Sequence, residues 1–487
     1  MKWMDVVRNG LIPGALAGLA GGVLSGAALS QVGALPPTAS LVRADSATLG
    51  FVIHVSVATV LGAGFGVLVW HQRSGAGETL FWGLTYGGLW WFLGPLTLMP
   101  LLLLGFVAWD VHSAQEAFPS FLGYVIYGAI TGLALNALLQ KHRMQRSKLG
   151  IGALLRGALA GLVGAWLLAM LLDAQGRLLA FSAPVAGETS HRVAWLVTAL
   201  IGLLVGVSYA LIYPHPSEGT GPGLIRGTVY GFFWWVVGAL TLLPLIGGAG
   251  LAWSLEAARA AFTTLPGYLL FGASLALSYQ WLDGLVRLLF SDMIARSDEE
   301  GVGTEGLRAV GRGALAGLVG GIFFTLVMVQ IGFLPVAAGM IGSDSVLAGL
   351  IVQLVIAELI GISYGLLFRR QSYDIGSAVG WGVSYGFFWW ILGPLTLMPI
   401  FLGIAPQWSV EVAGGLFASL VGHLAYGAAL GVSFHLMEAR HNPWWIPRTL
   451  AEATRVARRK EQLRTSAPAL WALVVTIALT LPVVLSM

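Results

Sequence analysis

Thirteen long apolar stretches, separated by short polar segments, form the dominant pattern of this chain of 487 residues. Each stretch has about 20 mostly apolar residues, the length that an α-helix needs to cross the hydrocarbon core of a bilayer. The pattern therefore predicts an all-α, polytopic membrane protein with 13 transmembrane helices. The predicted spans are 11–30, 49–70, 80–104, 120–139, 154–172, 195–213, 224–246, 264–282, 313–334, 346–368, 378–403, 418–437 and 469–486.

One segment of 18 residues occurs three times without a gap. It reads GLTYGGLWWFLGPLTLMP at 83–100, GTVYGFFWWVVGALTLLP at 227–244 and GVSYGFFWWILGPLTLMP at 382–399. GALAGL precedes each copy, and a G-[YH]-x-x-[YF]-G segment follows each copy. This order predicts three tandem four-helix units at 1–150, 151–300 and 301–438, which are called the first, second and third units below. A basic cytoplasmic segment at 439–467 and a C-terminal transmembrane helix at 468–487 complete the predicted organisation.

An even number of helices in each unit makes all three units enter the bilayer from the same side, as parallel repeats. A pseudo-threefold ring is the expected arrangement, and a linear array is the alternative. Lys and Arg mark the cytoplasmic side. The side of the N-terminus carries 22 of the 26 basic residues, and the other four are Arg43, Arg177, Arg192 and Arg259. We therefore expect a bacterial inner-membrane protein with a cytoplasmic N-terminus and an external C-terminus.

Composition narrows the classes of function. Only 10% of the residues are charged, against about 25% in soluble proteins, so lipid must cover much of the surface. The chain has no cysteine, which excludes disulfides, thiolate metal sites and thiol catalysis. The basic residues of 439–467 are expected to contact anionic lipid head groups. Membrane lipid and other membrane subunits are therefore the expected partners, and nucleic acid is not.

Glycine and proline predict how the helices pack. Small residues four positions apart, beginning at Gly14, Gly157 and Gly313, predict that each first helix lies close against a neighbour, with the ring axis as a candidate place. Pro95 and Pro394 each remove a backbone donor from a third helix, so a kink or break is expected there. Ala239 replaces the first proline in the second unit, and a milder irregularity is expected at that place.

Polar residues near the predicted outer half of the bilayer are the functional candidates, because such groups are costly in hydrocarbon. Ligand-binding or permeation residues are predicted at His54, Thr97, Thr241, Glu358, Thr396 and His423. Outer-face polar candidates are His112, Glu256 and Glu411, which share one repeat position and are also explained as solvated residues of interfacial helices.

Metal and catalytic signals are weak. His54, His112 and His423 could converge on a metal ion or a haem if the first and third units adjoin, but none has ligand spacing. No cofactor is firmly implied. The glycine-rich runs lie inside apolar helices and are not phosphate loops. An intramembrane enzyme rests only on Asp110, His112 and Glu116, so we expect a protein that is not an enzyme.

The segment Gly422-His423-Leu424-Ala425-Tyr426-Gly427, together with His54 and the proline-rich third helix, resembles a family of uncharacterised bacterial inner-membrane proteins of four helices. Those proteins carry a G-H-x-x-Y-G fourth helix. The resemblance extends over each of the three units, although Tyr124 and Tyr268 replace the histidine in the first two. It implies a four-helix topology and an inner-membrane location, and no mechanism.

Two functions are predicted from these patterns. The leading hypothesis is transport or permeation of an ion or small solute, because parallel repeats, irregular third helices and polar groups in the outer half are typical of such proteins. The alternative is a structural or haem-binding subunit of a larger membrane redox complex, since the predicted helices contain few charged residues and Trp is abundant.

Overall fold

The computed structural model describes residues 3–70, 75–143, 150–187, 190–214, 219–290, 302–371 and 374–439, with His441 and nine isolated positions further on. All regular structure in these ranges is helical. The long helices are α1 (Ile12–Gln31), α2 (Ala47–Val69), α3 (Ala76–Leu93), α4 (Phe118–Arg143), α5 (Ile151–Ala174), α6 (His191–Ile212), α7 (Thr220–Trp234), α8 (Leu265–Phe290), α9 (Val302–Gln330), α10 (Val346–Phe368), α11 (Ile375–Leu392) and α12 (Phe417–Ala439). Short helices lie at Trp3–Val6, Pro36–Ala39, Ser40–Val42, Val111–Glu116, Leu178–Ala186, Leu255–Phe262, Leu334–Gly339 and Val410–Gly415.

Eleven helices of the described chain are long and apolar enough to cross a membrane. The count rises to twelve if α8 and the short helix before it, which meet at 59°, form one span. These helices make the chain a multi-pass membrane protein, and they coincide with the first twelve predicted stretches. Most of 439–467 and 468–487 lies outside the described residues. Within the predicted thirteenth span, Val474, Ile477, Leu481, Val484 and Leu485 are helical and buried.

The same helix pairs pack together in every unit. The first helix lies between the second and the fourth, and the third packs on the fourth. Glycine allows the close crossings: a Cβ on Gly14 would overlap the backbone of Gly62 and Gly66, and one on Gly83 would overlap Gly128. The small residues of each first helix therefore face the second helix of their own unit and do not gather around a common axis.

Each third helix continues through its proline motif as a π-helical segment, at Gly94–Leu98, Trp235–Leu242 and Gly393–Leu397. The expectation of a milder irregularity in the second unit was wrong, because its π segment has eight residues and the others five. A threonine hydroxyl in each segment donates to the carbonyl five residues earlier, at 2.7–2.8 Å. The five-residue spacing of this bond is that of a π-helical turn. The bond also forms in the second unit, so the segment does not depend on the first proline.

Neighbouring units meet at two places. Near the start of α3, Glu78 pairs with Arg226 of α7, and Phe81 stacks on Tyr213. The second and third units meet where α7 packs on α10 and α11. In the described chain, the helix pairs that pack closely across units join the second unit to the third, and none joins the first unit to either of the others.

The tryptophan that follows each third helix is buried in the second and third units and exposed in the first. Trp253 and Trp408 are 0% and 2% exposed, and Trp408 lies beside Gly267 of the second unit. Trp109, at the same repeat position in the first unit, is 62% exposed. Within the described ranges, no neighbouring unit covers Trp109.

The described residues of the C-terminal segment pack between the first and second units. Gln115 donates to the carbonyl of Val484 at 3.0 Å, and Arg259 donates to that of Leu485 at 2.7 Å. The end of this segment therefore lies beside the loops that precede α4 and α8.

Candidate functional site

A cavity of about 190 Å³ lies inside the third unit. Its walls come from α9, the short helix Leu334–Gly339, α10, α11 with its π segment, and α12. The surface open to the cavity is apolar. Phe401 at its edge is 65% exposed, so the cavity borders the outer surface of the helix bundle. A molecule dissolved in the bilayer can approach it from that side.

One substitution explains why this space is open in the third unit. In the first unit the hydroxyl of Tyr124 lies 3.0 Å from the place where a Cβ on Gly94 would be. In the second unit Tyr268 lies 3.4 Å from the equivalent place on Gly238. His423 stands at the position of these tyrosines, and nothing lies within 4 Å of such a Cβ on Gly393. The shorter side chain leaves vacant the volume that the hydroxyl end of the tyrosine fills in the other two units.

His423 is held in one orientation. Its Nδ1 donates to the carbonyl of Ser419, one turn earlier in α12, at 2.8 Å. Phe324 of α9 packs edge-on against the imidazole, with 4.6 Å between the ring centres. Because Nδ1 carries the proton of the neutral ring, Nε2 is an acceptor. No other described residue forms a hydrogen bond with Nε2.

The glutamine of the same cavity has its partners within the protein. Gln353 accepts from Thr325 at 2.9 Å and donates to the carbonyl of Gly321 at 3.2 Å. His54 occupies the same repeat position in the first unit, where its Nε2 lies 3.0 Å from the Ser25 hydroxyl. Both side chains link a second helix to the first helix of the same unit.

The three predicted permeation threonines have their hydroxyl groups engaged. Besides donating to a carbonyl, Thr97, Thr241 and Thr396 each accept from an indole nitrogen, at 3.0 Å. The donors are Trp109, Trp253 and Trp408. The three threonines therefore join the π segment to the loop that follows it, whereas His423 lines the cavity.

Glu358 lies near the middle of α10, and its side chain is partly exposed. No described residue forms a hydrogen bond or an ion pair with it. It does not line the cavity, although Ala357 beside it does. Its assignment to substrate binding stays a prediction.

His112, Glu256 and Glu411 are exposed and lie in the first turns of three short helices. Asp110, Ser254 and Ser409 cap those helices by accepting from a backbone amide at 2.9–3.3 Å. The bond from the Ser113 amide lowers the pKa of Asp110, and the backbone amide of Glu411 itself lowers the pKa of that carboxyl. His112 pairs with Glu116 at the exposed surface. The three capping residues therefore stabilise the starts of these helices.

The three predicted metal-ligating histidines do not form a joint site. In the part of the chain that the structure describes, no three His, Cys, Asp or Glu residues lie close enough to hold a metal ion. A haem does not fit beside His423, since the cavity of about 190 Å³ is smaller than the roughly 300–1,000 Å³ of pockets for drug-sized ligands.

Sequence reasoning identified His423 and missed its surroundings. The signal available was the replacement of Tyr124 and Tyr268 by a shorter side chain at one repeat position. The opposite wall at Gly393 and the acceptor on Ser419 were missed, because only the folded unit brings α11 against α12. Comparison with protein-family models, curated proteins and solved structures finds no match to this chain.

Proposed function

We propose that the chain is a bacterial inner-membrane protein of three parallel four-helix units in an open row, with a thirteenth span at its end. The exposed Trp109 favours an open row over a closed ring. The contacts of Val484 and Leu485 with Gln115 and Arg259 support an external C-terminus, since the loops before α4 and α8 are the predicted outer loops. Each unit is proposed to be related to the four-helix family described above.

Reporter fusions test this topology. Fusions after residues 146 and 296 are expected to be cytoplasmic, and a fusion after Met487 is expected to be external, because each unit contributes an even number of spans and the last segment one more. Alkaline phosphatase and green fluorescent protein activities measure the two sides. Opposite locations for the 146 and 296 fusions would contradict the parallel arrangement.

We propose that the protein binds a small, mainly apolar molecule from the bilayer in the cavity of the third unit, as the substrate-binding step of a transport or permeation protein. The single observation that supports this is the cavity itself, which lies where the shorter His423 replaces Tyr124 and Tyr268 of the other units. Its volume exceeds the 150 Å³ or so of an apolar cavity that binds benzene. An ion path is less well supported, because the three threonines are bonded within the protein.

Narrowing the cavity is expected to weaken binding. In His423→Tyr the hydroxyl end of the new ring extends toward Gly393, as those of Tyr124 and Tyr268 extend toward Gly94 and Gly238, so a toluene-sized probe has less room. The measurement is protein-dependent ¹⁹F line broadening of 4-fluorotoluene with the full chain in lipid nanodiscs, above lipid-only nanodiscs. The control is Leu196→Tyr, which adds the same ring at a position that is 70% exposed on α6. Absence of wild-type binding, or equal binding by both variants, would defeat the proposal.

A further inference from the structure

The two boundaries between units repeat one contact. A Cβ on Gly77, at the start of α3, would overlap the ring of Tyr213, which follows α6 of the second unit. A Cβ on Gly221, at the same repeat position on α7, would overlap the ring of Phe368, which ends α10 of the third unit. The start of one third helix therefore receives an aromatic side chain from the next unit, and the units are joined head to tail.

A second contact lies closer to the predicted outer side. Trp408, in the loop after the π segment of the third unit, lies 3.3 Å from the place of a Cβ on Gly267, in the fourth helix of the second unit. Each unit thus has a forward edge, formed by the starts of its third and fourth helices, and a rear edge, formed by the end of its second helix and the tryptophan after its third helix. In chain order, the forward edges contain Gly77 with Leu122, Gly221 with Pro266, and Gly376 with Val421, and the rear edges contain Trp109, Tyr213 with Trp253, and Phe368 with Trp408.

The forward edge of the third unit is open. Leu122 is 0% exposed and Pro266 is buried, whereas Val421 is 42% exposed at the same repeat position. The glycines of the first two forward edges are buried, and Gly376 is exposed. This edge is therefore covered in each unit that another unit follows, and uncovered in the last one.

The rear edge of the first unit is open and already ordered. Trp109 is exposed, whereas the tryptophans of the other two rear edges are buried. Its indole nitrogen donates to the hydroxyl of Thr97 at 3.0 Å, the bond that its buried counterparts also form. Phe92 stacks on the indole, with 5.6 Å between the ring centres. The ring is held as its buried counterparts are, so docking costs little side-chain entropy.

We infer that a second copy of this chain docks its rear edge on the forward edge of the third unit, with Trp109 of one copy against Val421 of the other. The occupant is a second copy because the chain has one open edge of each kind, and the same two kinds of edge already join its own units twice. In the proposed parallel arrangement every unit crosses the bilayer in the same sense, so the two open edges lie at matching depths. The contact is heterologous, since different surfaces meet. Membrane helices associate through close packing, which a preformed edge favours.

Cysteine cross-linking tests this contact directly, because the chain has no cysteine of its own. Two differently tagged full-length chains, Trp109→Cys and Val421→Cys, are produced in the same membrane and treated with a short bismaleimide. A linked pair that carries both tags is expected, and neither variant should link to itself. The control places Trp408→Cys and Gly267→Cys in one chain, where the contact of 3.3 Å should give a link within that chain.

Association of the full chain in liposomes gives a second test. Trp109→Ala is expected to weaken association about tenfold, because it removes the largest side chain of the contact. Val421→Trp should also weaken it, because a larger ring holds the two edges apart while Trp109 is unchanged. The matched control is Trp281→Ala on α8, which is 61% exposed at a repeat position that is exposed in all three units, and it should have no effect. Energy transfer between labelled chains, followed as lipid is added, gives the dissociation constants.

Four results would overturn the inference. In the double variant of one chain, a link between Trp109→Cys and Val421→Cys would show that the row closes on itself. Links of Trp109→Cys to itself would show a different interface. Absence of the mixed link while the control pair reacts would show that lipid covers both edges, and equal dissociation constants for Trp109→Ala and the wild type would exclude Trp109 from the contact. The inference goes beyond the proposed function and shares only the parallel arrangement with it. None of these results alters the binding of 4-fluorotoluene, so the two proposals can fail separately.

Discussion

Replacing Glu78 with glutamine is expected to lower the free energy of unfolding by about 1–3 kcal/mol, because it removes the carboxylate charge from a buried ion pair with Arg226. The two side chains are 14% and 9% exposed and lie 3.0 Å apart across the boundary of the first and second units. Glutamine keeps the oxygen that accepts from the Gly75 amide at the start of α3, so the helix cap survives. The loss of unfolding free energy should therefore measure the contribution of the ion pair between Glu78 and Arg226.

Unfolding in mixed micelles, followed by circular dichroism, measures this effect. The double variant Glu78→Gln with Arg226→Gln should recover part of the loss, because both charges of the pair are then removed. Glu116→Gln is the matched control, since its pair with His112 is exposed at both side chains and should contribute little. A single variant that unfolds like the wild type would contradict a structural role for the pair.

Two glycines of α3 are expected to respond to alanine with opposite signs. A Cβ on Gly83 would overlap the carbonyl of Gly128, so α3 and α4 must move apart, at a cost of about 1–3 kcal/mol. Nothing lies within 4 Å of a Cβ on Gly88, and alanine there should stabilise the helix by up to about 1 kcal/mol. The same measurement of unfolding compares the two variants.

The equivalent crossings extend the test. Gly227 meets Gly272, and Gly382 meets Gly427, in the same way. Alanine at these positions should destabilise by similar amounts, because the same backbone atoms are in contact. If Gly83→Ala proved as stable as Gly88→Ala, the close packing of the third helix on the fourth would be contradicted.

The membrane-spanning character and most helix positions follow from the sequence alone. An apolar run of about 20 residues is a local property, and hydrocarbon leaves a single chain segment little alternative to a helix. The repeat at 83–100, 227–244 and 382–399 also predicted where the irregular third helices occur, because its residues are local too. The sequence could not show that a threonine and a tryptophan twelve residues later are bonded in each unit.

The candidate site depended on the tertiary structure. The sequence singled out His423 as a departure from Tyr124 and Tyr268, but a shorter side chain creates a cavity only if no neighbour moves in to fill it. That outcome depends on Gly393, which lies on another helix, and on Phe324 and Ser419, which orient the imidazole. The sequence by itself determined the spans, because their length and apolarity are local. Only the packing of α9 to α12 decided where the third unit stays open, because a void belongs to the surfaces of several helices at once.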